Sequence, residues 1–216
     1  MNHGVWKGIE SEQSHILILG ESHHEKGDQL GANVGYKTSQ IIETYLTEES
    51  IIPTHMIFRK IANSFGWIYE NEKAFWNRIY FGNYADTYGG IAASEFKEIL
   101  KRNRKRYNDE LFAFVNDNSI TTIFCFSKRV WNLLPSEAYY EKHIVGKIGK
   151  QNNTVEKCRY AAQIPHRNTD VLLKQDLTVF GIRHPSGKSG YNASQIYDYF
   201  CKQPEATKIL YKKRTV

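Results

Sequence analysis

The sequence predicts an α/β protein in which helices cover both faces of a mostly parallel four-stranded sheet. Short apolar runs, typical of strands buried on both faces, alternate along the chain with helical segments. The runs span residues 16–19, 79–84, 120–126 and 177–182. Strands and helices in this alternation favour right-handed crossovers and a three-layer α/β/α architecture. The 216 residues contain no internal repeat, linker or low-complexity segment, so we expect one domain over residues 1–216.

Composition limits the class of protein. A hydrophobic content of 41% allows a real core, and no apolar run approaches the length of a membrane helix. The N-terminus lacks the apolar core of a signal peptide. The three cysteines are odd in number and far apart, and form neither a disulfide framework nor a metal-binding pattern. We therefore expect a cytoplasmic monomer that makes no membrane contact.

The first strand is followed by a dense cluster of titratable residues. Residues 16–19 are apolar, Gly20 ends the run, and the next eight residues include Glu21, His23 and His24. In open α/β sheets, ligands bind outside the carboxyl ends of the strands. The cluster therefore predicts a functional site, and the alternative is an ordinary polar turn.

Helices are predicted between the strands. A helix capped by Thr38 or Ser39 follows the glycine-containing loop. Further helices are expected at residues 54–65, 71–78, 94–116, 130–134 and 192–201. Residues 154–161 are expected to form an edge strand, whereas residues 137–153 show no readable pattern. Trp76 and Trp131 are expected in the core.

One basic run lies inside the longest predicted helix. Residues 101–106 carry five cations in six positions. Such a run can follow a nucleic-acid backbone, but a charge run on a helix is usually a solvated face. The net charge of +6 and the aromatic content of 13% are compatible with nucleic acid without requiring it.

Three strand ends carry the motifs of a known family. They read Gly20-Glu21-Ser22-His23, Tyr80-Phe81-Gly82-Asn83 and His184-Pro185-Ser186. With these motifs the chain resembles the uracil-DNA glycosylase superfamily, and most closely the branch whose first motif is Gly-Glu-Ala-Pro-Gly. Its spacing from Gly20 to Glu43 matches that branch without a gap. The resemblance covers most of the chain and implies a uracil-DNA glycosylase-like fold.

The sequence also departs from that family. Ser22, His23 and His24 replace the usual small residue, proline and glycine of the first motif. Val34 stands where the family usually has a phenylalanine that stacks on the base, although Tyr36 lies two residues further on. The iron–sulfur cysteines of the branch are missing, so no cofactor and no metal are expected. Ser127 stands where a glycine is common.

The resemblance implies roles for the motif residues. Glu21 would orient water or stabilise the cationic sugar, and His184 would donate a hydrogen bond to the departing base. Asn83 carries the amide donors and acceptor that a pyrimidine edge needs. The expected substrate-binding residues are Gly20, Ser22, His23, Tyr36 and Asn83. The expected function is hydrolysis of the N-glycosidic bond of uracil or a related base flipped out of DNA.

DNA, single- or double-stranded, is the expected partner. Ser186 and Ser189 can hold phosphates, and Lys188 stands where related enzymes place an apolar wedge. Each residue also has an ordinary structural interpretation: Glu21 can cap a helix, and Asn83 and His184 can be turn residues.

Two other functions remain open. The chain can be a nucleic-acid- or nucleotide-binding protein that keeps the pocket but has lost catalysis, as the altered first motif indicates. It can also be a metal-dependent hydrolase that uses His23, His24, Asp28 and His184. Adjacent histidines rarely bind one ion together, because neighbouring side chains diverge.

Overall fold

The computed structural model describes residues 4–23, 37–47, 55–68, 71–87, 89, 93–135, 139–149, 151–185 and 191–211. Its strands are β1 (Trp6–Lys7), β2 (Ile16–Gly20), β3 (Tyr80–Asn83), β4 (Thr122–Cys125), β5 (Tyr139–Ile148), β6 (Gln151–Tyr160) and β7 (Leu177–Gly181). Its helices are α1 (Ser11–Ser14), α2 (Lys37–Thr47), α3 (Met56–Asn63), α4 (Glu72–Trp76), α5 (Ala93–Arg102), α6 (Arg104–Asp117), α7 (Lys128–Trp131) and α8 (Ala193–Phe200), followed by a 3-10 turn at Pro204–Ala206. Each of the four predicted apolar runs contains a strand.

The described strands form one seven-stranded mixed sheet in the order β1-β3-β2-β4-β7-β6-β5. Its middle four strands, β3, β2, β4 and β7, are parallel to one another. β1 pairs antiparallel with β3, and β6 and β5 add two antiparallel strands beyond β7. The predicted α/β class is confirmed. The prediction of a four-stranded sheet is wrong, because the sheet also includes β1, β5 and β6, of which only β6 was expected, as an edge strand at residues 154–161.

The missed strands give weak sequence signals for physical reasons. β1 has two residues, too few to show a period. β5 is an edge strand, and Tyr140 and Ile144 are 51% and 64% exposed, so apolar side chains do not mark one buried face. β6 was expected to be the edge strand, but it lies between β7 and β5. The edge position therefore belongs to the segment whose pattern was unreadable.

The core lies on both faces of the sheet. Ile16 and Ile18 of β2 face one side, where aromatic and aliphatic side chains of α2, α3, α4 and α8 cover them. Leu17 and Leu19 face the other side, against α5, α6 and α7. All four side chains are at most 1% exposed, and each such burial stabilises the fold by roughly 1.5 to 3 kcal/mol. Burial on both faces explains why the run is continuously apolar.

The long helix predicted at 94–116 is two helices. α5 ends at Arg102 and α6 begins at Arg104, so the break falls inside the basic run. The Arg104 guanidinium donates to the carbonyls of Leu133 and Leu134 at 2.6 and 2.7 Å. Three neighbouring cations form the ion pairs Lys101–Glu98, Lys105–Asp109 and Arg106–Asp86. These internal partners favour the structural interpretation of the run over a phosphate-binding one.

Three smaller expectations concern the tryptophans, the cysteines and helices that could cross a membrane. Trp76 is fully buried as predicted, whereas Trp131 is only partly buried and its ring lies over Gly181. The cysteines are free thiols. Within the described ranges, no helix is both long enough and apolar enough to cross a membrane.

Candidate active site at the carboxyl ends of the parallel strands

The order of the parallel strands marks one place on the sheet. From β2 the chain goes to β3 on one side, and then to β4 on the other side of β2. The switch point therefore lies between β2 and β4, where the following loops diverge and open a crevice. Glu21 directly follows β2, and one residue separates Ser127 from the end of β4.

The Glu21 carboxylate is held by two side chains from the turn after β4. The Ser127 hydroxyl donates to Oε2 and the Arg129 guanidinium donates to Oε1, each at 2.6 Å. The Glu21 side chain is 11% exposed and that of Arg129 is 36% exposed. Ser127, rather than Glu21, caps α7, because its hydroxyl also accepts from the Val130 N–H at 3.2 Å.

The first residue of α7 also contacts β7 and β6, the strands on the other side of β4 from Glu21. The Lys128 ammonium donates to the Gly181 carbonyl at 2.7 Å and to Glu156 at 2.6 Å. Burial lowers the pKa of Lys128, and Glu156 opposes this shift. Burial alone would raise the pKa of Glu156, but the hydrogen bond and charge of Lys128 outweigh it, so that pKa lies below its usual value. α7 thereby ties β4 to β2, β7 and β6.

Asn83 lies beside the switch point and is already positioned. It pairs in register with Gly20, and its amide nitrogen donates to His23 Nε2 at 3.2 Å and to the Thr38 hydroxyl at 3.4 Å. His23 Nε2 and Thr38 Oγ1 are 2.9 Å apart. A Cβ on Gly20 would stand 2.3 Å from Asn83 Oδ1, so any larger residue there would displace the Asn83 amide.

The loop after β2 is fastened to the chain after β3. Backbone hydrogen bonds continue the strand pairing, from Tyr84 to Gly20, from Ala85 to Glu21 and from Gly89 to His23. The Ser22 hydroxyl donates to the Thr87 carbonyl. Ser22 was predicted to bind substrate, but here its hydroxyl makes this internal bond. The rim that carries Glu21 is therefore built as a rigid unit.

His184 lies on the same edge, two strands away. It follows the last residue of β7 by three positions, and β4 separates β7 from β2. At about 4.8 Å between neighbouring strands, the ends of β2 and β7 are roughly 10 Å apart. Pro185 is buried, and its carbonyl accepts from the Lys60 ammonium at 3.1 Å. α3 thus holds the His184 loop in place.

Several predicted residues lie outside the described part of the chain. These are Tyr36, Ser186, Lys188 and Ser189, together with His24 and Asp28 of the metal-site alternative. Among the described residues, no group of three or more histidine, cysteine or carboxylate side chains is arranged to bind a metal ion.

Sequence reasoning assigned no site role to Ser127, Arg129 or Thr38. The first two had a usable signal, because polar residues that directly follow a buried strand are candidates for the same edge as Glu21. Thr38 was interpreted only as a helix cap. Neither a protein-family model nor a curated protein matches this sequence.

Proposed function

We propose that this protein is a DNA glycosylase that hydrolyses the N-glycosidic bond of uracil, or of a related damaged or modified base, flipped out of DNA. The observation that carries the proposal is a largely buried carboxylate, Glu21, at the switch point of the sheet and one residue beyond the Gly20–Asn83 pair. The motif resemblance supports the same function. DNA is the partner, and no cofactor is used.

Glu21 acts on the sugar and the attacking water. The C1′–N bond breaks, the bonding electrons leave with the base, and the carboxylate stabilises the cationic sugar and accepts a proton from the water that attacks C1′. Arg129 keeps Oε1 in place through its charged hydrogen bond. Ser127 keeps Oε2 oriented throughout.

Asn83 and His184 act on the base. The amide offers donors and an acceptor to a pyrimidine edge, and its bonds to His23 and Thr38 fix its orientation before the substrate arrives. His184 donates a hydrogen bond to the oxygen that gains negative charge as the base departs. The roughly 10 Å between the ends of β2 and β7 leaves room for a flipped nucleotide between Glu21 and His184.

A second function is a binding protein of the same fold without catalysis. It is favoured by one observation: both oxygens of Glu21 already accept short hydrogen bonds from the protein. In this case the pocket would hold a base without cleaving its bond.

One experiment separates the two functions. The protein is incubated with oligonucleotides that carry uracil, deaminated purines or modified pyrimidines, in single and double strands, and alkali then cleaves any abasic site. Strand scission at one of these bases is expected of the glycosylase. Specific binding to such oligonucleotides without scission of any of them would favour the binding protein.

A further inference from the structure

The β5–β6 hairpin extends past the edge on which the candidate site lies. The last pair between β6 and β7 joins Glu156 to Gly181, but β6 begins five residues earlier, at Gln151. β5 accompanies it as far as Ile148, opposite Gln151. At about 3.3 Å per residue, the hairpin reaches roughly 17 Å beyond the last β7 pair. Because β6 is antiparallel to β7, this extension points the same way as the carboxyl ends of the parallel strands.

The extension is braced by α8. The Gln195 amide nitrogen donates to the Lys147 carbonyl at 3.0 Å, and its oxygen accepts from Asn153 at 3.1 Å. A Cβ on Gly146 would stand 2.2 Å from Gln195 Cδ, so the glycine lets this side chain lie flat on the strand. The hairpin is therefore preorganised.

The tip of the hairpin suits a polyanion. Residues 144–155 include two lysines and no aspartate or glutamate. Lys147, Gln151 and Asn152 are exposed, and the Arg183 guanidinium donates to Gln151 at 3.3 Å from the β7 side. Cations and amides of this kind supply most protein contacts to phosphate oxygens.

We infer that the outer hairpin, residues 146–149, 151 and 152 together with Arg183, is a contact surface for a nucleic-acid backbone that flanks the candidate site. The identity of the partner rests on the proposed function, since the strand that enters the site would continue over this surface. Residue 183 lies two positions after the last residue of β7 and His184 comes next, so the surface is continuous with the site. A second copy of the chain pairing with the edge of β5 is the competing occupant.

The test is the salt dependence of binding to a fluorescein-labelled duplex that contains no damaged base. Fluorescence anisotropy between about 50 and 200 mM salt gives the slope of log Kobs against log salt. We expect Lys147→Gln to make the slope shallower by about 0.7 to 0.9, and Lys147→Gln with Arg183→Gln by about twice that. Lys174→Gln is the matched control, an exposed cation just before the start of β7, at the opposite end of the sheet.

Wild-type slopes in both hairpin variants would overturn the inference. So would light scattering that shows a dimer in the wild type and a monomer in these variants without a change in slope, since the edge of β5 would then bind a second copy. The assay needs no base release, so it separates this surface from the proposed chemistry. If these variants have shallower slopes but the protein cleaves no substrate, the result would support the contact surface and contradict the proposed glycosylase activity.

Discussion

Glu21 owes its position to side chains more than one hundred residues away in the sequence. Ser127 and Arg129 each donate to a different carboxylate oxygen, and the carboxylate is mostly shielded from water. Hydrogen bonds that involve a charged group are about twice as strong as neutral ones, and burial removes the screening that weakens surface pairs. The arrangement fixes the direction in which Glu21 presents its charge to the crevice.

Arg129→Met tests whether this positioning matters for the reaction. We expect single-turnover base release to fall about tenfold to a hundredfold, because the carboxylate loses one of two directing donors. Arg129→Lys should recover part of the loss, since an ammonium supplies charge without the planar fork of the guanidinium. Arg102→Met, at an exposed position of α5, is the control. Release by Arg129→Met at the wild-type rate would show that Arg129 does not position Glu21.

For single residues, the sequence predicts which side chains lie at the sheet edge better than it predicts what they contact. The placement of Glu21, Asn83 and His184 at one edge of the sheet could be predicted because each stands at or just beyond the end of a buried strand. The partners of Glu21 could not, because they depend on β4 lying beside β2, which no local pattern encodes. The bond between Asn83 and His23 likewise depends on the register of β3 against β2.

Among the secondary-structure elements, α3 is the support of the His184 loop. Lys60 donates to the Pro185 carbonyl, and the Tyr191 hydroxyl donates to the Lys60 carbonyl at 2.9 Å. Both contacts come from one residue in the second turn of α3, whose Phe58, Ile61 and Ala62 are buried in the core. The loop that carries His184 is therefore tied to the core and not only to β7.

Lys60→Met should loosen that loop. We expect base release to fall about tenfold to a hundredfold, because small displacements of a reacting group cost that much in rate. Thermal unfolding should change little, since a single hydrogen bond contributes about 1 kcal/mol. Lys208→Met is the matched control: Lys208 also donates to a backbone carbonyl, that of Ser14, just before the start of β2 and so at the opposite end of the sheet. Equal rates in the two variants would contradict this role of Lys60.

We expect the contact between α7 and β6 to make the stability of the protein depend on pH. The pKa of Glu156 is lowered, so its contribution to stability is present above its ordinary pKa of 4.5 and is lost as the pH falls through its lower folded value. Glu156→Gln should reduce the free energy of unfolding at neutral pH by about 2 kcal/mol, since Lys128 stays buried without its carboxylate.

Urea denaturation at neutral pH and again well below pH 4.5 measures this effect. The difference between the wild type and Glu156→Gln should shrink in acid, because Glu156 then becomes protonated in the wild type. Glu98→Gln, which removes an exposed partner of Lys101, should change stability little at either pH. A difference that stays constant or grows in acid would contradict the assignment.

The elements themselves were predictable where both faces are buried. β2, β4 and β7 appear as continuous apolar runs because neither side meets water. β5 could not be predicted, because an edge strand pairs with a neighbour on one side only and exposes much of its surface to solvent. The break between α5 and α6 was also missed, since the Arg104 contacts that accompany it come from a distant segment.

In the whole molecule, a parallel α/β core is extended on one side by an antiparallel hairpin. The core brings Glu21, Asn83 and His184 to one edge, and the hairpin continues beyond that edge with cations and no carboxylates near its tip. By contrast, four of the five cations in the basic run at 101–106 have internal partners. Positive charge that can contact a polyanion therefore lies beside the candidate site. The net charge of the whole sequence is also positive, at +6.

The central claim is that Glu21 carries the chemistry of base release. The most direct measurement is single-turnover release from the best substrate of the oligonucleotide panel, comparing the wild type with Glu21→Gln at equal fractions of bound DNA. We expect the variant to be slower by about 10² to 10⁴, while its DNA affinity changes less than about tenfold, because phosphate contacts dominate binding. Release by Glu21→Gln at the wild-type rate, or no release by the wild type from any substrate, would contradict the claim.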